Sequence, residues 1–531
     1  MMTNRHRAFA AVRQHAGMDG AIPSPATTCE RWGLCELAFD APQAARTANP
    51  FLDVDLQAVF SDGATTLTMR GFFDGGSTWR LRFMPPVEGR WSWRTSSTAP
   101  ELDGLRGTIM ATPPADDNHG PVRVAHRHHF AHADGRRHVS VGTTCYGWTH
   151  QPLERQEQTL ESLAAAPFNK LRMCVFPKWY EFHRDPPLHH AFLRGADGRL
   201  DWGRPDLAYF QLLDRRIAEL ARLGIEADLI LFHPYDNHDA PAAERWGYDE
   251  MPAWAEDAYL RHLVARVAAY RNVWWSLANE WDIMKAKTPE DWARFARVLK
   301  AEDPYGHPVS IHNCGRMYDH ADPAISHVSA QRIDTVRTSE DTVVLRERFA
   351  KPVVWDEVAY EGDVCHGWGN LTAEELVRRF WEGMVRGGYV GHGETYAHPQ
   401  DILWWSRGGA LHGQSPARIA FLRGLVETCP GPGIEPLPGD WDAPLGGCAG
   451  AWLLQYYGFN RPRWRCFRLP ADGDFQIEVI DTWNMTRTPV PGVHRGNLRV
   501  ELPGRSYMAI LARRVAATGR PNASAPPRAA G

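Results

Sequence analysis

Two segments of this 531-residue chain place an acidic side chain where an apolar run stops. One is Val273-Trp274-Trp275-Ser276-Leu277-Ala278-Asn279-Glu280, and the other is Val353-Val354-Trp355-Asp356-Glu357. Breaking a glycosidic bond takes two carboxyl groups. One protonates the leaving oxygen, and the other attacks the anomeric carbon or activates water. Three more carboxylates compete at the second segment: Asp356, Glu361 and Asp363. Side chains of successive strand residues point to opposite faces, so Asp356 and Glu357 can both face a site only across a bulge. Glu361 and Asp363 flank Gly362 in what reads as a loop, and a nucleophile needs a rigid support. Glu280 and Glu357 are therefore the expected catalytic pair. For retention their carboxyls should lie about 5–5.5 Å apart.

Other residues could bind a substrate. His233-Pro234-Tyr235 and His312-Asn313 also end apolar runs. His233, Tyr235 and His312 are candidates to hydrogen-bond sugar hydroxyls, or else to form a polar cluster that supports Glu280. Trp148, Trp179, Trp281, Trp404 and Trp405 fall in connecting loops, where stacking on a sugar ring and plain core packing weigh equally. The run His126, His128, His129, His132 invites a metal reading, but no HExxH and no cysteine partner accompanies it. These histidines read as a solvated turn, and neither a metal nor any other cofactor is expected.

The elements that would hold these groups follow from the hydrophobic period. Short apolar strands begin near Val139, Lys170, Glu226, Val273, Val309, Ile325, Val353 and Tyr389. Amphipathic stretches such as Leu207 to Leu223, Ala253 to Tyr270 and Ala373 to Arg386 alternate with them, two of the helices opening on the caps Thr288-Pro289-Glu290-Asp291 and Thr372 with Glu375. Eight such units predict a (β/α)8 barrel over residues 124–430, with reactive groups at the C-terminal ends of its strands. Glu280 and Glu357 then stand on strands four and seven. An open doubly wound sheet is disfavoured, because no glycine-rich phosphate loop follows the first strand. Residues 27–115 alternate with period two between turn signals, as in a β-sandwich, and residues 440–515 predict a small β domain after the linker Cys429-Pro430-Gly431-Pro432-Gly433. The tail from Ala516 reads as disordered.

An Asn-Glu pair ending strand four with a Glu ending strand seven resembles the clan A glycoside hydrolases. The resemblance implies that Glu280 is acid/base, Asn279 binds the substrate 2-hydroxyl and Glu357 is nucleophile. Arg172, late in strand two, matches an arginine that clan members keep near the nucleophile. Where the clan often has a nucleophile-touching tyrosine on strand six, this sequence has none, and Gln331 lies nearest. Phe83-Met84-Pro85-Pro86-Val87-Glu88-Gly89-Arg90-Trp91-Ser92-Trp93 is similar to the β-sandwich that precedes the barrel in a group of bacterial glycosidases. Val141-Gly142-Thr143-Thr144-Cys145 and Trp404-Trp405-Ser406-Arg407-Gly408-Gly409 are similar to the same group.

Composition narrows the partners. With 59 basic and 63 acidic side chains, and no basic stripe, nucleic acid is not an expected partner. No apolar run approaches the ~20 residues that span a bilayer, so no membrane partner is expected. The N-terminus lacks the apolar core of a signal peptide, and nine scattered cysteines without a CxxC pair suit reduced thiols, so a cytoplasmic location is expected. A homo-oligomer is compatible with the sequence. The expected function is a retaining glycosidase, exo-acting on short β-linked oligosaccharides or glycosides. An α-L-arabinofuranosidase or other pentosidase is the alternative within the class, and a non-catalytic carbohydrate-binding protein is the alternative outside it.

Overall fold

The computed structural model describes residues 27–515 apart from 242, 243, 333, 335 and 400–402, together with a strand at Val12–Gln14. The tail expected to be disordered lies outside the described residues. Eight parallel strands form the central sheet: β1 (Val141–Thr144), β2 (Lys170–Cys174), β3 (Glu226–Phe232), β4 (Val273–Ala278), β5 (Val309–Ser310), β6 (Val328–Gln331), β7 (Val353–Glu357) and β8 (Tyr389–His392). Their order, β5-β4-β3-β2-β1-β8-β7-β6, curls into a nearly closed barrel. A single bridge, His312 to Ser329, spans the seam between β5 and β6.

Helices α1 (Leu153–Ala165), α2 (Leu207–Arg222), α3 (Ala253–Val267), α4 (Pro289–Glu302), α5 (Thr342–Phe349), α6 (Ala373–Val385) and α7 (Ser415–Val426) follow every strand except β5. The two expected caps are present: Thr288 and Asp291 form a capping box on α4, and Thr372 accepts from the Glu375 amide on α6. Strand β6 starts at Val328 rather than near Ile325. Asp322 holds the preceding residues in a turn by accepting from the Ala324 and Ile325 amides.

The barrel interior is polar just beneath the mouth. Lys170 Nζ on β2 bonds Asp228 Oδ2 on β3 at 2.8 Å and Asp356 Oδ1 on β7 at 2.6 Å, all three side chains being buried. The ammonium thus has a carboxylate on either side, and pairing of this kind is what burial of charge demands.

Before the barrel, two sheets face one another across an aromatic core in which Phe60 stacks on Phe83 and Phe39 meets Trp93 edge-on. After it, a six-stranded antiparallel sheet packs on α6, with Tyr456 stacked on Trp381. Its first strand, Glu435–Asp440, opens before the boundary expected at 440. Pro436 and Pro438 disguise this strand in the sequence, and its place at the sheet edge tolerates them.

The histidine run is not uniformly solvated. His126 is exposed, but His129 is buried, its Nδ1 3.0 Å from Tyr389 Oη and its Nε2 2.6 Å from Glu435. It ties the hairpin before the barrel to β8 and to the C-terminal sheet.

Candidate active site

Strands β4 and β7 end at one cavity of about 230 Å³, lined by Asn279, Glu280, Gln331, Glu357, Tyr146, Tyr235, Lys178, Trp368 and Trp405 among others. Glu280 has φ +53° and ψ +52°, a left-handed conformation rare for a side chain with a Cβ. Such strain costs about 1–3 kcal/mol and persists where surroundings over-determine it. Here the Trp281 amide donates to His312 O, and Asp282 accepts from the amides of Cys314, Gly315 and Arg316. The β4 and β5 loops are thereby locked together, with Glu280 aimed into the cavity. Its carboxylate accepts from Gln331 Nε2 at 2.8 Å and from the Tyr235 hydroxyl.

Strand β7 carries a bulge. Ala330 pairs with Trp355, but the next residue, Gln331, pairs with Glu357, which leaves Asp356 without a partner in β6. Asp356 thus turns into the polar layer with Lys170 and Ser329, while Glu357 reaches the cavity. Glu357 Oε1 lies 3.1 Å from Arg172 Nη1 and 3.3 Å from His312 Nε2, and it accepts from the Tyr146 hydroxyl. Burial alone would raise its pKa. His312, Arg172 and Tyr146 outweigh burial and hold the carboxyl down at about 2. Burial and the neighbouring carboxylates push the phenols of Tyr146 and Tyr235 well above their usual range, so both remain proton donors.

Tyr146 was not legible as a site residue. It follows β1, and its hydroxyl also sits 3.1 Å from Asn279 Oδ1 and 3.3 Å from Arg172. The tyrosine sought on strand six is supplied from strand one, and Gln331 serves Glu280 instead. Lys178, Tyr180, Tyr360 and Trp368 also line the cavity and went unnoticed. Their one sequence signal was position, just past the ends of β2 and β7.

The remaining candidates divide. Tyr235 and Trp405 line the cavity, and Trp405 meets Trp368 with ring centres 5.0 Å apart. His233 is buried behind it, its Nε2 3.2 Å from Phe176 O and its Nδ1 accepting from the Tyr235 amide, so it positions the β3 loop. Trp148 and Trp404 are core residues rather than sugar platforms. The Trp148 indole N–H points to Met173 Sδ and that of Trp404 donates to Thr143 Oγ1 at 2.9 Å. Trp179 packs edge-on against Trp246, and Trp281 lies beneath the Arg316 guanidinium, neither facing the cavity.

Glu361, His392 and Glu394 cluster in the interior at metal-ligand spacing. The carboxylates already accept backbone N–H groups: Glu394 from His412 and Gly413, Glu361 from Gln414 and Ser415. This arrangement fits a clamp on the start of α7, and it keeps Glu361 from competing with Glu357.

An eight-stranded parallel barrel with two carboxyls at one mouth is an arrangement that can cleave a glycosidic bond. The chain is 38% identical to a Bacteroides vulgatus protein taken to be a glycoside hydrolase, over 92% of this chain and all of that one, with a TM-score of 0.85. A family 5 glycoside hydrolase from the same organism shares the fold at 17% identity and a TM-score of 0.58, over 74% of this chain and 94% of that one. Residues 125–454 match the apiosidase-like catalytic domain, and the chain belongs to that family. The flanking regions match two domains of unknown function, DUF5060 over residues 28–98 and DUF5605 over residues 441–513. No curated protein matches the chain.

Proposed function

We propose that this glycosidase acts by double displacement with retention, releasing single residues from the non-reducing end of short β-linked oligosaccharides or glycosides. One contrast carries the reading: Glu357 is held ionised by His312, Arg172 and Tyr146, whereas Glu280 faces the same cavity with no cationic side chain bonded to it among the described residues. A carboxylate stabilised as an anion suits a nucleophile, and one without a bonded cation suits a proton carrier. Glu357 attacks the anomeric carbon while Glu280 gives its proton to the departing oxygen. Water then enters, Glu280 takes its proton, and the bond to Glu357 breaks. A cavity of about 230 Å³, walled by Trp405, Trp368 and Tyr180, suits one terminal ring better than an open cleft would.

Pentosidase action is the second reading, and the apiosidase-like match over residues 125–454 favours it, since an apiosidase releases a pentose. A panel of aryl hexosides and pentosides decides between them. Retention is tested with Glu357→Gly on the preferred aryl glycoside: turnover should nearly vanish, and added azide should restore it as a glycosyl azide. Near-normal rates in this variant, with Glu361→Gly inactive and azide-rescued, would move the nucleophile to the loop.

A further inference from the structure

Lys178 is a charged side chain that the two-carboxylate mechanism does not use. It follows β2 and is only 3% exposed, yet it lines the catalytic cavity. Its ammonium lies 3.9 Å from the ring centre of Tyr146, 4.1 Å from that of Tyr235 and 4.5 Å from that of Trp405. Those rings belong to the partner of the nucleophile, the partner of the acid and a wall of the cavity. The ammonium therefore sits at the centre of the floor.

It makes no hydrogen bond and no ion pair among the described residues. Aromatic faces offset part of the cost of burying a charge. They do not provide acceptors for three N–H groups. An ammonium taken out of water without acceptors is destabilising. Nothing in the packing requires a charge here, because an apolar chain of equal length would fill the same space.

We propose that Lys178 is the glycone-recognition residue, donating to adjacent hydroxyls of an uncharged sugar ring seated against Trp405. The inference rests on the glycosidase reading and adds the substrate class. Charge is not what the ammonium lacks: both Glu280 and Glu357 already act on it and partly offset the lowering of its pKa by burial. Acceptors are what it lacks, and a vicinal diol supplies two. A uronic acid would instead bring a third carboxylate beside an ionised nucleophile. The other cations lining the cavity already hold partners, Arg332 on Asp341 and Arg379 on Glu375 and Val358 O.

The test measures binding without turnover, by calorimetry on Glu357→Gln with and without Lys178→Met. The probes are methyl glycosides of glucose, mannose, galactose, xylose and arabinose, their monodeoxy analogues, and methyl glucuronide and galacturonide. At least one neutral glycoside should bind, and Lys178→Met should weaken it by about 10- to 100-fold, the worth of hydrogen bonds to a charged group. The analogue lacking the contacted hydroxyl should be bound equally by both proteins. Lys178→Met should melt at the same temperature as its parent or higher, because an unpartnered charge has been removed. Unchanged affinity for the neutral glycoside, or binding of the uronides alone, overturns the proposal. A lower melting temperature with unchanged affinity reassigns Lys178 to a structural role. If no glycoside binds and Glu357 is also not labelled by 2-deoxy-2-fluoro aryl glycosides, the glycosidase mechanism itself fails, and this inference with it.

Discussion

Tyr146, just past the first barrel strand, donates its phenolic proton to Glu357 at the end of the seventh. The backbone fixes the donor: the Tyr146 amide bonds Trp405 O, and Tyr146 O accepts from the Cys174 amide. Tyr146→Phe keeps the packing and deletes this bond. Hydrogen bonds to charged groups are worth about 1.5–3 kcal/mol, so kcat should fall about 10- to 100-fold with little change in melting temperature. Steady-state kinetics on an aryl glycoside check this, and an unchanged kcat would mean the bond does not serve the reaction.

Glu357 carries a pH dependence whose sign is defined. Its folded pKa, about 2, lies below the unfolded value of about 4.3. Its contribution to stability is thus complete above pH ~4.3 and fades as pH falls toward 2. Wild-type enzyme should show no acid limb in kcat/KM from this group until about pH 2. Arg172→Met removes the guanidinium beside Glu357 and should carry the limb upward. A pH–rate profile unchanged by that substitution would refute the electrostatic account of Arg172.

Two adjacent tryptophans should differ in one respect. Both are buried, so Trp404→Ala and Trp405→Ala should each cost about 3–5 kcal/mol of stability. Trp405 also lines the cavity, whereas the Trp404 N–H bonds Thr143, so only Trp405→Ala should raise KM as well. Thermal melts and kinetics on both variants check this. An unchanged KM in Trp405→Ala would show that Trp405 serves packing alone.

Exhaustive chelation should leave both rate and melting temperature unchanged, since Glu361 and Glu394 spend their oxygens on backbone N–H groups. Glu394→Ala should instead destabilise by about 1–3 kcal/mol, orphaning the amides of His412 and Gly413. A chelator-induced drop restored by one divalent ion would reassign the cluster to metal binding.

The strand starts and the acidic strand ends were readable because parallel barrel strands are short apolar runs bounded by turns, which Val273–Ala278 and Val353–Glu357 display plainly. The bulge that lets Asp356 and Glu357 both find polar company was not, because it depends on the register with β6. Tyr146 and Lys178 escaped for a related reason. Each is an ordinary residue a few positions past a strand, and its role comes from neighbours more than twenty residues away in sequence. The tryptophans defeated sequence reading because burial of an indole is decided by the loop's path, and Trp404 and Trp405 share a loop. His129 was misjudged for want of knowing that Glu435 returns to meet it.

The seam between β5 and β6 has consequences for how this enzyme can vary. Strand β5 is two residues long and no helix follows it; Ser326 bonds Val309 at one end of the seam, and His312 and Ser329, whose side chains bond at 3.0 Å, join it nearer the mouth. The same His312 touches Glu357, and the same Ser329 bonds Asp356. The same two residues thus serve the seam and the mouth: the His312 ring meets Ser329 through Nδ1 and Glu357 through Nε2. A substitution at either position loosens the cylinder and misaligns the nucleophile at once, so selection cannot trade durability for turnover there, and directed evolution of new specificity should leave this pair untouched while the walls around Trp368 and Trp405 change.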